Sequence, residues 1–187
     1  MRILVMGAGA MGSVLGGFLA KGGHEVTLVG RRGSMEAIQL RGLRIIGIWG
    51  DHHIHSLKAR TDVGGLRAGD LDWVFITVKA YDTELAVQTI APLTDENTLV
   101  CSYQNGLGNA EVIAKKVGWR QTVSARVIYG VRLLEPGVAE VTVIANPTAL
   151  GVHTADAPVQ RVREMVATME GVGLPTVYTE EIAALLW

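Results

Sequence analysis

The sequence predicts an α/β fold in which a mostly parallel sheet is covered by helices on both faces. Four short runs rich in Val, Ile and Leu, at residues 3–6, 26–29, 74–78 and 98–102, are each followed by a turn and then by a helical pattern. This alternation is typical of parallel βαβ units. The runs are continuously apolar, which indicates strands whose two faces are both buried.

The predicted helices carry signals at their ends. Asp82 and Thr179 are candidate N-caps, and Gly22 with Gly23 would end the first helix. The first four helices each follow one of the apolar runs, as a doubly wound sheet requires. The helical segments are residues 10–21, 34–40, 83–91, 109–117, 159–170 and 180–187.

Two segments interrupt this alternation. Residues 43–49 and 54–58 flank a Gly-Asp turn, which predicts a small hairpin or an irregular excursion. Residues 131–134 and 138–144 flank a Glu-Pro-Gly turn, which is a hairpin signal. We therefore expect the sheet to end with antiparallel strands at its C-terminal edge.

Composition limits the possible functions. A length of 187 residues suits one domain, or one domain and the beginning of another. The hydrophobic fraction of 49% and the net charge of -1 argue against a disordered chain and against bulk attraction to nucleic acid. The only cysteine, Cys101, lies in an apolar run and is interpreted as a core residue, which is compatible with a reducing, cytoplasmic compartment.

The first apolar segment admits a second interpretation. Residues 3–20 carry no charge and follow Arg2, as in a signal peptide or a membrane segment. Five glycines interrupt the segment, whereas a helix in lipid is normally rich in leucine. We therefore expect a strand and a helix joined by glycines, and no membrane partner.

The junction between that strand and that helix fits the pattern G-x-G-x-x-G, with residues Gly7, Ala8, Gly9, Ala10, Met11 and Gly12. A strand before the pattern and a helix after it distinguish a dinucleotide-binding fingerprint from a chance match. Gly7 would permit the tight turn, Gly9 the approach of the backbone to a pyrophosphate, and Gly12 close packing of helix and strand. Free amides at the helix start would hold the pyrophosphate. The fold class is therefore predicted to be a doubly wound Rossmann-type domain.

The end of the second predicted strand indicates which dinucleotide binds. An NAD-binding domain usually places an acidic residue about 20 residues after the fingerprint, against the ribose 2′-hydroxyl. Here Gly30 is followed by Arg31 and Arg32. Guanidinium groups can bind a 2′-phosphate that an acid would repel. We therefore predict NADP as the cofactor, although two surface arginines in a turn are the simpler alternative.

Three further segments, together with the fingerprint, resemble the ketopantoate reductase (2-dehydropantoate 2-reductase) family. They are residues 77–83 (Thr-Val-Lys-Ala-Tyr-Asp-Thr), 104–108 (Gln-Asn-Gly-Leu-Gly) and 184–187 (Ala-Leu-Leu-Trp). The resemblance implies reduction of 2-dehydropantoate to pantoate with NADPH, a step of pantothenate and coenzyme A synthesis. It also implies that Lys79 contacts the nicotinamide ribose and the substrate side, and that Asn105 holds both cofactor and substrate. We therefore take Lys79 and Asn105 as catalytic and cofactor-binding candidates.

The position of these two residues in the predicted fold agrees with that implication. Lys79 ends one predicted strand and Asn105 closely follows another, and ligands bind beyond the carboxyl ends of strands in open α/β sheets. Taken singly, a lysine at a strand end is often a solvated charge and an Asn-Gly pair is often a turn.

The same resemblance implies a second, helical domain. We expect residues 1–178 to form the NADP-binding domain and residues 179–187 to begin a helix that leads into a substrate and dimerisation domain. The family resemblance places a proton-donating lysine just beyond the Leu-Trp segment, so the chain as given is expected to bind NADP without efficient turnover. A homodimer is a possible assembly, because an apolar surface would face the second domain.

Two other functions remain open from the sequence. One is a different NADP-dependent reductase of 2-keto or 3-hydroxy acids, and the other is a non-catalytic module that senses NADP. Lys79 and Asn105 favour an enzyme acting on a small 2-keto acid, because a sensor does not need polar groups near the site of hydride transfer. His52, His53 and His55 lack the spacing of a zinc site, and we expect no metal.

Overall fold

The computed structural model describes residues 1–187 and contains a large sheet of eight strands and a small sheet of four. Numbered along the chain, the strands are β1 (Arg2–Met6), β2 (Glu25–Val29), β3 (Leu43–Gly47), β4 (His52–Ile54), β5 (Lys58–Arg60), β6 (Trp73–Ile76), β7 (Leu99–Ser102), β8 (Thr122–Arg126), β9 (Tyr129–Glu135), β10 (Val138–Ile144), β11 (Thr148–Val152) and β12 (Thr176–Tyr178). The α-helices are α1 (Ala10–Lys21), α2 (Arg32–Arg41), α3 (Thr83–Ile90), α4 (Asn109–Val117), α5 (Val159–Gly171) and α6 (Ile182–Leu185). Short 3-10 turns occupy Ala80–Asp82, Ala91–Leu93 and Trp119–Gln121.

The large sheet has the order β12-β11-β8-β7-β6-β1-β2-β5. Six consecutive strands, from β5 at one edge to β8, are parallel. β11 pairs antiparallel with β8, and β12 pairs parallel with β11, so the last two strands run in the opposite direction. The predicted doubly wound, mostly parallel sheet with antiparallel strands at its C-terminal edge is confirmed. β1 lies where the strand order reverses, and a ligand crevice is expected at its carboxyl end.

Two apolar cores lie on opposite faces of the large sheet. The larger joins the sheet to α1, α2, α5 and the small sheet, with Trp73 and Phe75 stacked inside it. The smaller lies between the sheet and helices α3 and α4. The strands are buried on both faces because helices cover both faces of the sheet. This burial explains why hydrophobic residues follow one another directly in the apolar runs of the sequence.

The small sheet was not predicted as a separate layer. Its order is β4-β3-β10-β9, and the expected hairpins β3-β4 and β9-β10 both form. The prediction that the β9-β10 hairpin would end the main sheet is wrong, because β10 pairs in parallel with β3 instead. Helix α1 packs against the large sheet on one side and against the small sheet on the other, which explains why α1 is apolar nearly all round.

The helix boundaries agree with the prediction except at the end of the chain. Helices α1 and α4 have the predicted bounds. The ends of α2, α3 and α5 differ from the predicted ends by at most two residues. The predicted helix over residues 180–187 is wrong, because α6 contains only four residues. Thr179 does accept a hydrogen bond from the amide of Glu181, at 3.1 Å, but the backbone of Glu181 is not helical. The side chain of Asp82 makes no capping bond to α3.

The apolar segment at the start of the chain forms β1, a glycine turn and α1. No helix in the chain has both the length and the apolar character needed to cross a membrane.

Candidate functional site

The turn between β1 and α1 lies at the carboxyl end of β1, where the strand order reverses, and we call residues 7–12 the glycine cradle. The amides of Gly7 and Ala8 both donate to the carbonyl oxygen of Val29, at 2.9 and 3.0 Å, and fix the turn against the end of β2. Gly7 has φ of +124°, which a residue with a side chain rarely adopts. The predicted need for glycine in this tight turn therefore follows from the backbone.

Gly12 is required for a different reason. A Cβ atom at Gly12 would lie 1.9 Å from the carbonyl oxygen of Gly7 and 2.5 Å from Oγ1 of Thr77. The Thr77 hydroxyl is 2.7 Å from the same carbonyl oxygen of Gly7 and acts as its donor. Thr77 directly follows β6, so its hydrogen bond to Gly7 connects the end of β6 to the cradle. The sequence prediction did not assign this role to Thr77.

Gly9 faces open space. No atom lies within 4 Å of the position that a Cβ would take at Gly9, and the residue is exposed. The first helical hydrogen bond of α1 runs from the amide of Ser13 to the carbonyl of Gly9, so the preceding amides, including those of Ala10 and Met11, have no partner within the helix. The exposed mouth of the cradle thus presents free donors and the positive end of the α1 dipole, which is a suitable arrangement for an anion.

The end of β2 lies beside the cradle. A Cβ at Gly30 would lie 2.4 Å from Cβ of Ala8, so the two turns are in close contact. Arg31 and Arg32 follow at the start of α2, and both are exposed. Arg32 lies 4.0 Å from Glu36, and the side chains of this pair are 84% and 65% exposed, so the pair holds Arg32 only weakly. Both guanidinium groups are therefore available to an anion next to the cradle.

Lys79 and Asn105 lie at the same edge of the sheet as the cradle. Lys79 follows β6 and precedes the 3-10 turn that leads into α3. Asn105 follows β7, which is the neighbour of β6. Both residues are exposed, and Lys79 takes part in none of the ion pairs of the chain. The fold thus places every sequence-predicted site residue at the carboxyl edge of the parallel strands.

A buried hydrogen-bonded chain connects the Lys79 segment to the Asn105 segment, and we call its members Thr83, Gln104 and Asn109 the polar network. Nε2 of Gln104 donates to the carbonyl oxygen of Val78 and to Oγ1 of Thr83, both at 2.8 Å. Thr83 in turn donates to Oδ1 of Asn109 at 3.0 Å.

Asn109 completes the network at the glycine-rich loop after β7. Its Nδ2 donates to the backbone carbonyls of Asn105 and Gly106, at 3.4 and 3.2 Å. Gly106 and Gly108 have φ of +96° and +88°, so the loop can fold back over the start of α4. The sequence prediction missed the network: it treated Thr83 and Asn109 as helix starts and Gln104 as part of a family motif.

Other polar groups that the sequence singled out have local partners. His52 contacts Lys21 and the carbonyl oxygen of Trp49, and His53 lies 3.5 Å from Asp51. Cys101 is fully buried, and burial raises the pKa of its thiol far above the ordinary value. Burial also raises the pKa of Tyr103 to about 12, although its hydroxyl lies near Tyr129 and Thr148. None of these groups lies in the glycine cradle or the polar network.

The strand order, the fingerprint at the reversal point and the free amides at the start of α1 define a Rossmann-type dinucleotide-binding domain. The chain matches the family described as ketopantoate reductase PanE/ApbA over residues 3–154. It belongs to that family.

Individual relatives agree with this assignment. A 2-dehydropantoate 2-reductase of Pyrococcus horikoshii is 35% identical over 187 residues, which are 100% of this chain and 59% of the relative. The crystal structure of 2-dehydropantoate 2-reductase from Geobacter metallireducens superposes with a TM-score of 0.91 at 27% identity, over 100% of this chain and 60% of that one. A ternary structure of D-mandelate dehydrogenase with NADH and anilino(oxo)acetate, at 22% identity and a TM-score of 0.86, covers 100% of this chain and 59% of that one and shares the fold. The chain therefore spans about three fifths of the length of these relatives.

Proposed function

We propose that this chain is the cofactor-binding part of an NADPH-dependent 2-dehydropantoate 2-reductase. The observation that carries the proposal is the glycine cradle with two exposed arginines beside it, at the same sheet edge as Lys79 and Asn105. Family membership and the relatives named 2-dehydropantoate 2-reductase support the substrate class. Residues 1–178 would form the cofactor domain, and residues 179–187 would begin the connection to a substrate domain.

The cradle fits a dinucleotide because its glycines provide open space for the ligand and allow the strand and the helix to approach each other closely. Gly9 leaves the mouth of the turn open, while Gly7 and Gly12 allow β1 and α1 to approach so closely that the free amides converge. Ala8, Ala10 and Met11 would contribute backbone at this mouth rather than side-chain chemistry. The amides and the helix dipole would bind the pyrophosphate.

Arg31 and Arg32 would select NADPH over NADH. A 2′-phosphate carries negative charge and oxygen acceptors that guanidinium groups can bind in pairs. The amides at the start of α2 would add donors at the same place, because the first bonds of that helix run from Ser34 and Met35 to the carbonyl of Arg31. NADP is therefore the proposed cofactor.

At the other end of the cofactor, Lys79 and Asn105 would orient the reactants. When bound, NADPH supplies the hydride that reduces the keto group of a 2-keto acid. Lys79 would place a positive charge near the nicotinamide ribose and the substrate oxygen, where negative charge develops during reduction. Asn105 would hold cofactor and substrate through the donor and acceptor groups of its amide.

Calorimetric titration of the chain with NADPH and NADH tests the cofactor. The double variant Arg31→Ala, Arg32→Ala should lose at least about 100-fold in NADPH affinity and little in NADH affinity, because each charge-assisted bond contributes about 1.5–3 kcal/mol. The double variant Arg41→Ala, Arg67→Ala removes the same charge elsewhere and should bind both nucleotides as the wild type does. Equal binding of NADH and NADPH by the wild type would contradict the assignment of NADP.

Turnover is tested with a protein of the relatives' full length. Such a protein should oxidise NADPH in the presence of 2-dehydropantoate, and Lys79→Ala should lower kcat/KM. Faster oxidation with another 2-keto acid would keep the cofactor assignment and change the substrate. A proposed cytoplasmic homodimer predicts twice the chain mass for this longer protein in solution.

A further inference from the structure

Two of the three members of the polar network are buried helix-start residues that the proposed reaction does not use directly. Thr83 is the first residue of α3 and Asn109 the first of α4, and they are 1% and 4% exposed. Gln104 donates to Thr83, which lies between Gln104 and Asn109 in the chain of hydrogen bonds, and Gln104 is 6% exposed. Buried polar groups are costly unless each one is satisfied, so a network in this position requires an explanation.

Every donor in the network has an acceptor in one consistent direction. The two hydrogens of the Gln104 amide point to Val78 and Thr83, the Thr83 hydroxyl points to Asn109, and the two hydrogens of the Asn109 amide point to the loop backbone. Ser102 donates to Oε1 of Gln104 at 3.2 Å, and the carbonyl of Val78, which can only accept, fixes the orientation of that amide. Reversing either amide would place its oxygen against a backbone carbonyl oxygen, acceptor against acceptor, so the network has a single arrangement.

The ends of the network are the backbone positions next to the two exposed site residues. The carbonyl of Val78 immediately precedes Lys79, and the carbonyl of Asn105 belongs to the other site residue itself. The side chains of Lys79 and Asn105 are exposed and form no hydrogen bond or ion pair that would fix the segments that carry them. The backbone ladder between β6 and β7 ends with the bond from the amide of Tyr103 to the carbonyl of Ile76, and beyond it buried amide and hydroxyl groups join the two segments.

We propose that Thr83, Gln104 and Asn109 are positioning residues that hold Lys79 and Asn105 in the register required to bind the nicotinamide half of the cofactor. This inference rests on the proposed function and extends it to buried residues. The adenosine half would bind at the cradle and α2, to which no member of the network is hydrogen-bonded. Loss of the network should therefore weaken recognition of one half of the cofactor and leave the other half unchanged.

The variant Thr83→Val tests this selectivity, because it preserves shape and removes the central hydroxyl. Two ligands are titrated: NADPH, and adenosine 2′,5′-bisphosphate, which lacks the nicotinamide half. We expect Thr83→Val to lose about tenfold in NADPH affinity and less than about twofold in affinity for adenosine 2′,5′-bisphosphate. The fluorescence of bound NADPH, which reports the surroundings of the nicotinamide, should move towards that of the free nucleotide. Thr83→Ser, which keeps the hydroxyl, should restore both measurements.

Thr98→Val is the matched control. Thr98 is fully buried, its hydroxyl lies 3.0 Å from the carbonyl oxygen of Leu71, and it precedes β7 at the opposite end of that strand. The same hydroxyl lies 3.1 Å from Oδ1 of Asp95 and accepts from the amide of Asp95 at 3.2 Å. Thr98→Val therefore loses the hydrogen bonds of a buried hydroxyl, as Thr83→Val does, and should lose stability while both ligands bind as they do to the wild type. Gln104→Met, which removes the amide but keeps an unbranched side chain, is the second network variant and covers the case in which Thr83→Val does not fold.

The outcomes of these titrations distinguish failure of the positioning role from failure of the proposed function. A wild type that binds neither ligand would overturn the proposed function and the inference together. A wild type that binds both, with folded network variants that bind NADPH equally well, would overturn the inference alone. Equal loss of both ligands in Thr83→Val or Gln104→Met would also overturn it, because a general disturbance of the fold would then suffice as the cause.

Discussion

The glycine cradle and the polar network hold the two ends of one candidate site in different ways. The cradle is made of backbone, and its geometry depends on the absence of side chains at Gly7 and Gly12. The network is made of side chains, and its geometry depends on hydrogen bonds between helix starts far apart in sequence. A locally encoded cradle can be recognised from a short pattern. A network assembled by the fold cannot, even though both determine where a ligand would bind.

The largest expected effect comes from filling the cradle. Gly12→Ala places a methyl group 1.9 Å from a backbone oxygen, so β1 and α1 must separate. Alanine normally favours a helix by about 1 kcal/mol over glycine, but the overlap should dominate. We expect the free energy of unfolding in urea to fall by about 3 kcal/mol, with loss of nucleotide binding.

Gly9→Ala is the matched control within the same turn. Gly9 has φ of -76° and ψ of -172°, which alanine adopts readily, and its Cβ would meet no atom. The free energy of unfolding should change by less than about 0.5 kcal/mol. Nucleotide affinity should nevertheless fall, because the new methyl group occupies the mouth of the cradle. Equal stability loss in the two variants would contradict the distinction between packing glycine and ligand-facing glycine.

The sequence predicted the cradle more completely than the other end of the site for a physical reason. A glycine pattern between a strand and a helix specifies its own turn, and α1 has the predicted bounds. The partners of Gln104 depend instead on how α3 and α4 pack on the sheet, and the partner of β10 depends on where β3 lies. The positions of Lys79 and Asn105 could be predicted because strand ends share an edge. The hydrogen bonds that fix those positions could not, because no local pattern encodes them.

An intermediate effect is expected from the exposed residues above the network. Lys79→Ala and Asn105→Ala remove side chains that support no buried contact, so the free energy of unfolding should change by less than about 0.5 kcal/mol. NADPH affinity should fall by about tenfold in each case, measured by calorimetry. Lys115→Ala removes an exposed lysine from α4 and should alter neither quantity. Unchanged NADPH affinity in both site variants would remove these residues from the candidate site and leave the cradle with Arg31 and Arg32.

The smallest effect concerns the opposite end of the sheet, where His153 follows β11 beside the start of β8. Nε2 of His153 lies 2.7 Å from Oγ of Ser124, and its ring lies 4.9 Å from that of Trp119. Burial lowers the pKa of His153, and the negative charge of Glu111 opposes this in part. The unfolded chain therefore binds a proton more readily than the folded chain does below about pH 6.5.

The sign of the pH dependence follows from that difference. The contribution of neutral His153 to stability is fully present above about pH 6.5 and is lost as the pH falls through the lower, folded pKa. Urea unfolding between about pH 7.5 and about pH 5.5 should therefore show stability decreasing on acidification. His24, whose pKa burial also lowers, should contribute in the same direction. The variant His153→Gln should reduce the slope, and the variant His24→Gln separates the contribution of the other histidine.

Affinity for adenosine 2′,5′-bisphosphate should not follow the His153 transition, because that residue lies at the amino end of β8 and the cradle lies at the carboxyl edge of the sheet. The comparison is made with wild type and His153→Gln under conditions where both are folded. If substitution of His153 shifts the pH dependence of binding as well as that of unfolding, the two ends of the sheet are coupled. The site would then depend on the packing of the whole sheet and not only on the cradle and the polar network.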